Sequence, residues 1–421
     1  MRLRKLAAVP ALLLTGLAAS PVAFAETASP SAAPGAQPVQ FSTALGDAPV
    51  LSPGRIATQA PTGNTTTYAT IKRPAGGSVT VAVLGAVKAN ITSADGKTDC
   101  SSSDSSSFEA VSGYSFIFLD GAATKRQSYV DSSCDGLTDL RLTLKAPDPS
   151  STTSSSSSAP PDRDVQLVLT QEPKITKLGS ATPATGFSEI TAASKSTSGP
   201  DRTLSDQLLA PDTLTPGSYP VALQPGKLAV ARVRVGWGQR LAASVDAPRN
   251  GSNIAPATSL GVALTFFSPQ LAQVSRGATG VLSKNSAEQQ TVGSYTPTVN
   301  AANRQLDYGN DTGDIGIGSA QWTTAAGWYT VAIYVKPLDD KEPNPSKPVP
   351  ARLNLEVVGN PATGPTYADA AGAAVTAPPA SQLSIGGADS SGGGSALPKI
   401  GISALIVAAA VGVVVWLRRL G

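Results

Sequence analysis

Ser78-Val79-Thr80-Val81-Ala82-Val83 places valine at every second position, and Val230-Ala231-Arg232-Val233-Arg234-Val235 does the same. Period two sends successive side chains to opposite faces, so each stretch reads as a strand with one face in a core. Leu140-Arg141-Leu142-Thr143-Leu144, Val165-Gln166-Leu167-Val168-Leu169 and Arg352-Leu353-Asn354-Leu355-Glu356-Val357 repeat the pattern. Clusters of Pro, Gly, Ser and Asp separate these runs, and no amphipathic helix stands out between residues 41 and 360. The expected fold is all-β, as two tandem antiparallel β-sandwich domains.

The tandem reading comes from internal repetition. Leu51-Ser52-Pro53-Gly54-Arg55-Ile56 matches Leu214-Thr215-Pro216-Gly217-Ser218-Tyr219. In each half an alternating strand, a Gly-containing turn (Gly76-Gly77; Gly236-Trp237-Gly238) and a second strand follow. Gly113-Tyr114-Ser115-Phe116-Ile117-Phe118 is then matched to Gly261-Val262-Ala263-Leu264-Thr265-Phe266, and each half closes on a strand pair. Pro fixes φ at one turn position and Gly accepts a positive φ at the next, so both Pro-Gly steps are expected to be type II turns. The expected layout is domain 1 at 41–177, a polar linker at 178–202 crossed by few contacts, and domain 2 at 203–360. Residues 26–40 and 361–396 are Ala-, Ser-, Pro- and Gly-rich and read as a disordered mature N-terminus and a flexible stalk.

The two ends read as addresses. Arg2, Arg4 and Lys5 precede an apolar stretch, and Ala23 and Ala25 flank Phe24 in a small-x-small cleavage site, so 1–25 reads as a signal peptide. Residues 397–417 read as a single transmembrane helix, with 418–421 as its cytoplasmic tail. Arg418 and Arg419 hold that end inside, which leaves the body of the chain outside the cell membrane on the wall side. Leu397-Pro398-Lys399-Ile400-Gly401 resembles a sortase sorting signal, with Ile400 where that pattern has Thr. A retained span and sortase attachment both stay open.

Composition excludes more than it selects. The chain has no histidine, which removes Ser-His-Asp and Cys-His mechanisms and every His-ligated metal. The net charge of +3 arises at the signal: of 32 basic residues three leave with it, so 29 face 29 acidic ones. The charge therefore argues against nucleic acid as a partner. The two cysteines, Cys100 and Cys134, are expected to form a disulfide in an exported chain.

The strand, Gly turn and strand that precede Gly327-Trp328-Tyr329-Thr330-Val331-Ala332-Ile333 resemble the bacterial pre-peptidase C-terminal-like β-sandwich. Copies in exported actinobacterial proteins, some of which carry a von Willebrand factor A domain, are closest in character. The likeness spans residues 48–358 in two copies. It implies an accessory, non-catalytic, jelly-roll-like module; no Asp-x-Ser-x-Ser metal-adhesion motif accompanies it here.

Candidate sites are few. Asp307, Asn310, Asp311 and Asp314 offer oxygen ligands suited to calcium, although such clusters are also ordinary turn chemistry. Trp237, Trp322, Trp328 and Tyr329 are the aromatic candidates for sugar stacking; one of Trp328 and Tyr329 should face inward, and Trp237, at a Gly-flanked turn, should be the exposed platform. No carboxylate pair stands out for glycoside hydrolysis. The sequence thus points to a non-enzymatic display, adhesion or envelope-interaction protein without a cofactor. A carbohydrate- or wall-polymer-binding protein and an accessory subunit of a membrane protease or secretion complex are the alternatives. The expected topology has a direct consequence: protease shaving of intact cells should release the ectodomain, and its recovery from the cytosol alone would refute the export reading.

Overall fold

In a computed structural model, residues 36–85, 87–104, 116–122, 134–146, 164–180, 201–247, 259–274, 278–283, 290–305, 320, 322–337, 347–368 and 374–375 are described. They form an all-β structure. The expected signal peptide and transmembrane helix lie outside the described residues, among which no helix is long and apolar enough to cross a membrane.

The first half supplies β1 (Gln37–Pro38), β2 (Val50–Leu51), β3 (Gly54–Gln59), β4 (Thr66–Lys72), β5 (Ser78–Leu84), β6 (Lys88–Ser93), β7 (Ser102–Asp104), β8 (Phe116–Ala122), β9 (Asp139–Lys145) and β10 (Asp164–Glu172). They make two sheets, ordered β1-β3-β10-β5-β8-β7 and β2-β4-β9-β6. Ile56, Val79, Val81, Val83, Leu167 and Leu169 of the first sheet and Ile71, Ile91, Leu140, Leu142 and Leu144 of the second fill one core. Cys100 and Cys134 form the expected disulfide at the end of this core. Their separation of 34 residues corresponds to a stabilisation of about 4 kcal/mol in the chain-entropy picture.

The second half supplies β12 (Asp212–Thr213), β13 (Gly217–Leu223), β14 (Leu228–Val235), β15 (Arg240–Ala247), β16 (Ser259–Phe267), β17 (Ala278–Ser283), β18 (Gln290–Tyr295), β19 (Gly327–Pro337) and β20 (Val349–Val358). Its sheets are ordered β13-β20-β15-β18 and β12-β14-β19-β16-β17. Their inward residues, among them Val233, Leu241, Val245, Leu264, Tyr329, Val331 and Leu353, close a second core.

The repeat is topological as well as sequential. β3-β10-β5-β8 corresponds to β13-β20-β15-β18, and β2-β4-β9-β6 to β12-β14-β19-β16; the parallel β2–β4 step recurs as β12–β14. Position in the sheet corrects one sequence match. β16, which carries Gly261 to Phe266, is the counterpart of β6, while β8, which carries Phe116 to Phe118, is the counterpart of β18. Shared apolar content had aligned two strands that belong to opposite sheets. The Pro-Gly steps differ as well: Gly54 has φ +130°, whereas Gly217 has no positive φ.

The halves are not joined by a bare linker. The outward face of β5 and β10 carries Ala82 and Val168, which pair across the ladder and are fully buried within the core cluster of the second half. Leu84 packs against the same cluster. On the opposing sheet Val230, Thr330, Ala332, Thr265 and Phe267 point away from their own core and are buried too. The two sheets therefore dock face to face, giving four layers of strands. The expectation of few contacts between the halves is overturned, because an apolar row on the back of each sheet had to be covered.

Two polar devices reinforce this seam. Arg304, on the 3-10 turn Ala301–Gln305, forms an ion pair with Glu172 at the end of β10. Its Nη1 also donates to Ser78 Oγ at 3.2 Å, while Ser78 Oγ donates to Glu172 Oε2 at 3.5 Å. Further along, β11 (Ile175–Lys177), β21 (Thr366–Ala368) and β22 (Ala374–Val375) form a three-stranded sheet that ties the end of the first half to the tail of the second. Tyr367 is buried there. The stalk expected from residue 361 is thus ordered at 361–368 and 374–375, because β11 offers an open edge to pair with. The disordered mature N-terminus expected at 26–40 is likewise ordered from residue 36, where Gln37 and Pro38 pair with Ile56 and Ala57.

Removing one member of a buried ion pair strands the other charge. Arg304→Met should lower stability by about 3–5 kcal/mol, and adding Glu172→Gln should recover part of the loss. Denaturant unfolding of the two single variants and the double variant measures this; additive losses would show that the pair is uncoupled.

Candidate functional site

The expected aromatic platform is not where the sequence placed it. Trp237 is half-buried and packs against the second core. Its carbonyl accepts the Ala362 N–H at 2.8 Å, and its indole lies so close over Gly364 that a Cβ there would stand 2.3 Å from Nε1. Trp237 therefore clamps the segment leading into β21. Trp322 is a core residue, and so is Tyr329, whose hydroxyl donates to the Ala325 carbonyl at 2.9 Å and whose pKa is pushed up by burial. The calcium candidates Asp307, Asn310, Asp311 and Asp314 lie outside the described residues; among the described residues no group of His, Cys, Asp and Glu could hold a metal.

Of the four aromatic candidates, Trp328 is the one on the outward face of its sheet. It sits near the start of β19, half-buried, and in the ladder it stands opposite Arg234 of β14. The Arg232 guanidinium lies over its ring, 5.0 Å from the centroid. This diagonal relation follows from strand geometry: residues two apart on one strand share a face. Arg232 Nε also donates to Thr213 Oγ1 at 2.8 Å, which fixes the side chain along β12. Arg234 is exposed.

A third guanidinium arrives from the other half. Arg55 of β3 stands beside Val168 in the ladder, on the docking face, and donates to the Leu209 carbonyl. Burial, and after it the charge of Arg232, lowers the pKa of Arg55. The rim of the seam thus gathers Arg55, Arg232, Arg234 and Trp328. Such a cluster provides fork-shaped donors for oxygen anions and an apolar surface beside them.

A second polar cluster occupies the outward face of the sheet β13-β20-β15-β18. Asn354 Nδ2 donates to Ser244 Oγ and Asp246 Oδ2 at 3.1 and 3.0 Å, and Ser218 Oγ donates to Asn354 Oδ1 at 2.7 Å. Thr291 donates to Asp246 Oδ1 at 2.7 Å, and Arg352 to Ser218 at 3.3 Å. All but Thr291 and Arg352 are buried. These groups satisfy one another, which makes the network structural.

Sequence reasoning named Trp328 as one of four aromatics but did not single out the arginines. The available signal was the alternation Arg232, Arg234 on the solvent side of a valine strand; Arg55 could not be found, because only docking of the halves brings it there.

No protein-family model matches the chain, and no curated protein sequence does. Among solved structures it is similar to a xylan-binding module, CBM15, at 10% identity and a TM-score of 0.17, over 42% of this chain and 89% of that one. It is similar to the tandem CBM22 domain pair of Paenibacillus barcinonensis Xyn10C at 10% identity and a TM-score of 0.19, over 73% and 91%. A protein from Eubacterium rectale gives 11% identity and a TM-score of 0.18, over 73% and 74%. Superpositions this loose carry no inference about what the chain binds.

The Trp237 clamp leads to a prediction. Gly364→Ala would drive a methyl group into the indole, so it should lower the melting temperature and deprotect the amides of β21 in hydrogen exchange. Unchanged protection of β21 would show that Trp237 does not hold it.

Proposed function

We propose that this chain is a non-enzymatic binding protein of the bacterial cell envelope whose ligand is a carbohydrate or wall polymer, tethered through its C-terminal span. The observation that carries this reading is Trp328, an indole at the rim of the seam with Arg232 stacked on it and Arg234 opposite it. Indole supplies apolar area for the C–H surface of a sugar ring, and guanidinium groups supply donors for its oxygens. The lack of histidine removes triad hydrolysis, and no carboxylate pair stands out in the sequence for glycoside hydrolysis. The membrane tether rests on the sequence of residues 397–421, and export on 1–25. Adhesion and an accessory role in a protease or secretion complex draw on no residue of the described structure.

Full-length protein should be retained on isolated cell walls or on a glycan array, and Trp328→Ala should weaken retention about tenfold, equivalent to about 1.4 kcal/mol. Thermal unfolding of the variant separates lost binding from lost fold. Absence of binding to any glycan or wall preparation, or binding indifferent to Trp328, would overturn the reading.

A further inference from the structure

We infer that the cluster of Arg55, Arg232, Arg234 and Trp328 is a binding site for an anionic envelope polymer, one that carries phosphate or carboxylate groups along its chain; this rests on the reading of the protein as a carbohydrate or wall-polymer binder and names the ligand's charge.

Comparison of the two repeats is the main support. Leu51 and Leu214 hold the same place, so the parallel steps Leu51 to Ile71 and Thr213 to Arg232 put Thr70 of β4 opposite Arg232 of β14 as counterparts. By the same register Lys72 corresponds to Arg234, and Asp139 of β9 to Trp328 of β19. In the first repeat Lys72 and Asp139 form an ion pair across the ladder. In the second repeat that cross-strand acid is an indole, and the pair Thr70–Arg141 is reversed to Arg232–Thr330, so both cations are kept while the acid is lost. Cross-strand opposite charges stabilise a sheet and like charges oppose it, so the second repeat has given up the acid that offsets one of the two cations on this face and put an aromatic ring in its place.

The third cation is specific to the seam. Gly54 corresponds to Gly217, which makes Ser218 the counterpart of Arg55. Arg55 therefore adds charge only where the first repeat meets the second, and the site needs both halves. Arg232 is stacked and hydrogen-bonded in place, so part of the ordering entropy of binding is already spent.

The test uses full-length protein with polyglycerol phosphate as the phosphodiester polymer, polygalacturonate as the carboxylate polymer, dextran as the neutral one, and a random oligonucleotide. Binding to one or both of the first two, falling steeply between low and physiological salt, is expected; which polymer binds names the source of the anion. Arg234→Ala and Arg55→Ala should each weaken it about tenfold or more, and Lys72→Ala should leave it unchanged. Arg234 is exposed, so its variant should fold normally and keeps the test decisive even if Arg55→Ala loosens the seam. Neutral glycan binding that depends on Trp328 but not on the arginines would overturn the anionic site and leave the wider function standing. No binding to any polymer would remove both. An oligonucleotide bound as tightly as the envelope polymers would reduce the cluster to an unselective cationic surface and would also overturn the inference.

Discussion

The back-to-back docking of two sheets governs the architecture. Ala82 and Val168 lie on the reverse side of a sheet that already buries Val79, Val81 and Val83 on its front. A sheet with one wet face can stop there, whereas a sheet apolar on both faces requires a second partner. Repeat 2 supplies it through Ala332, Val230 and Phe267. Once the faces meet, the polar residues at their margin are committed. Glu172 is withdrawn from water and must be paired, and Arg304 arrives from a turn whose shape is held by Asn303, whose Nδ2 bonds the Thr298 carbonyl at 2.8 Å and Thr323 Oγ1 at 2.9 Å. Strand β11 can reach β21 for the same reason, since docking brings the end of one half beside the tail of the other.

The docked faces are not equivalent, which bears on whether the same contact can recur. The sheet β3-β10-β5-β8 of the first repeat meets the β12-β14-β19-β16-β17 sheet of the second, which is the counterpart of its own partner sheet. A head-to-tail contact of this kind is open and would continue in further copies if the terminal faces matched. They do not. Register makes Ser244, Asn354 and Asp246 the counterparts of Ala82, Val168 and Leu84. The apolar row that receives the second repeat is replaced by a row whose hydrogen bonds close upon themselves. At the other end Lys72, Asp139 and Arg141 occupy the positions of Arg234, Trp328 and Thr330. The first of these rows is already buried within its own hydrogen-bond network, and covering the second would desolvate the exposed Lys72–Asp139 pair without an apolar partner, so neither row repeats the apolar seam.

Period two made strand identity legible, since valines alternating around Val81 or Val233 leave little choice of backbone. The disulfide was legible from the even cysteine count together with the export expected from residues 1–25. The seam was not, although its signal is present: Ser78 to Leu84 has Thr80, Ala82 and Leu84 on the second face, where a wet strand would carry charges. Small and β-branched residues there are compatible with exposure, and only the opposing sheet reveals that they are covered. Trp237 was misjudged because flanking glycines suggest an open turn; instead Gly364, remote in sequence, permits the chain to lie against the ring. Segments rich in Pro, Ala and Gly near residue 361 read as stalk because composition does not show an available strand edge. The arginine cluster combines both difficulties, since two of its members lie on one strand and the third is delivered by docking.

Its position at the rim is physically constrained. Deep in the seam an arginine would need a carboxylate, as Arg304 does; in open solvent it would be screened and mobile. At the margin the stems of Arg232 and Arg234 can lie along apolar surface, including the indole of Trp328, while the charged heads remain within reach of water. Arg55 is half-buried, and loss of hydration first, then the neighbouring charge of Arg232, lowers its pKa. Packing of the two repeats sustains that unfavourable proximity. An anion entering the rim would relieve it, because the repulsion between Arg55 and Arg232 becomes attraction to a shared partner. Docking and binding are then linked in both directions: the seam assembles the charges, and a ligand that bridges Arg55 to Arg232 and Arg234 adds to the free energy holding the seam closed.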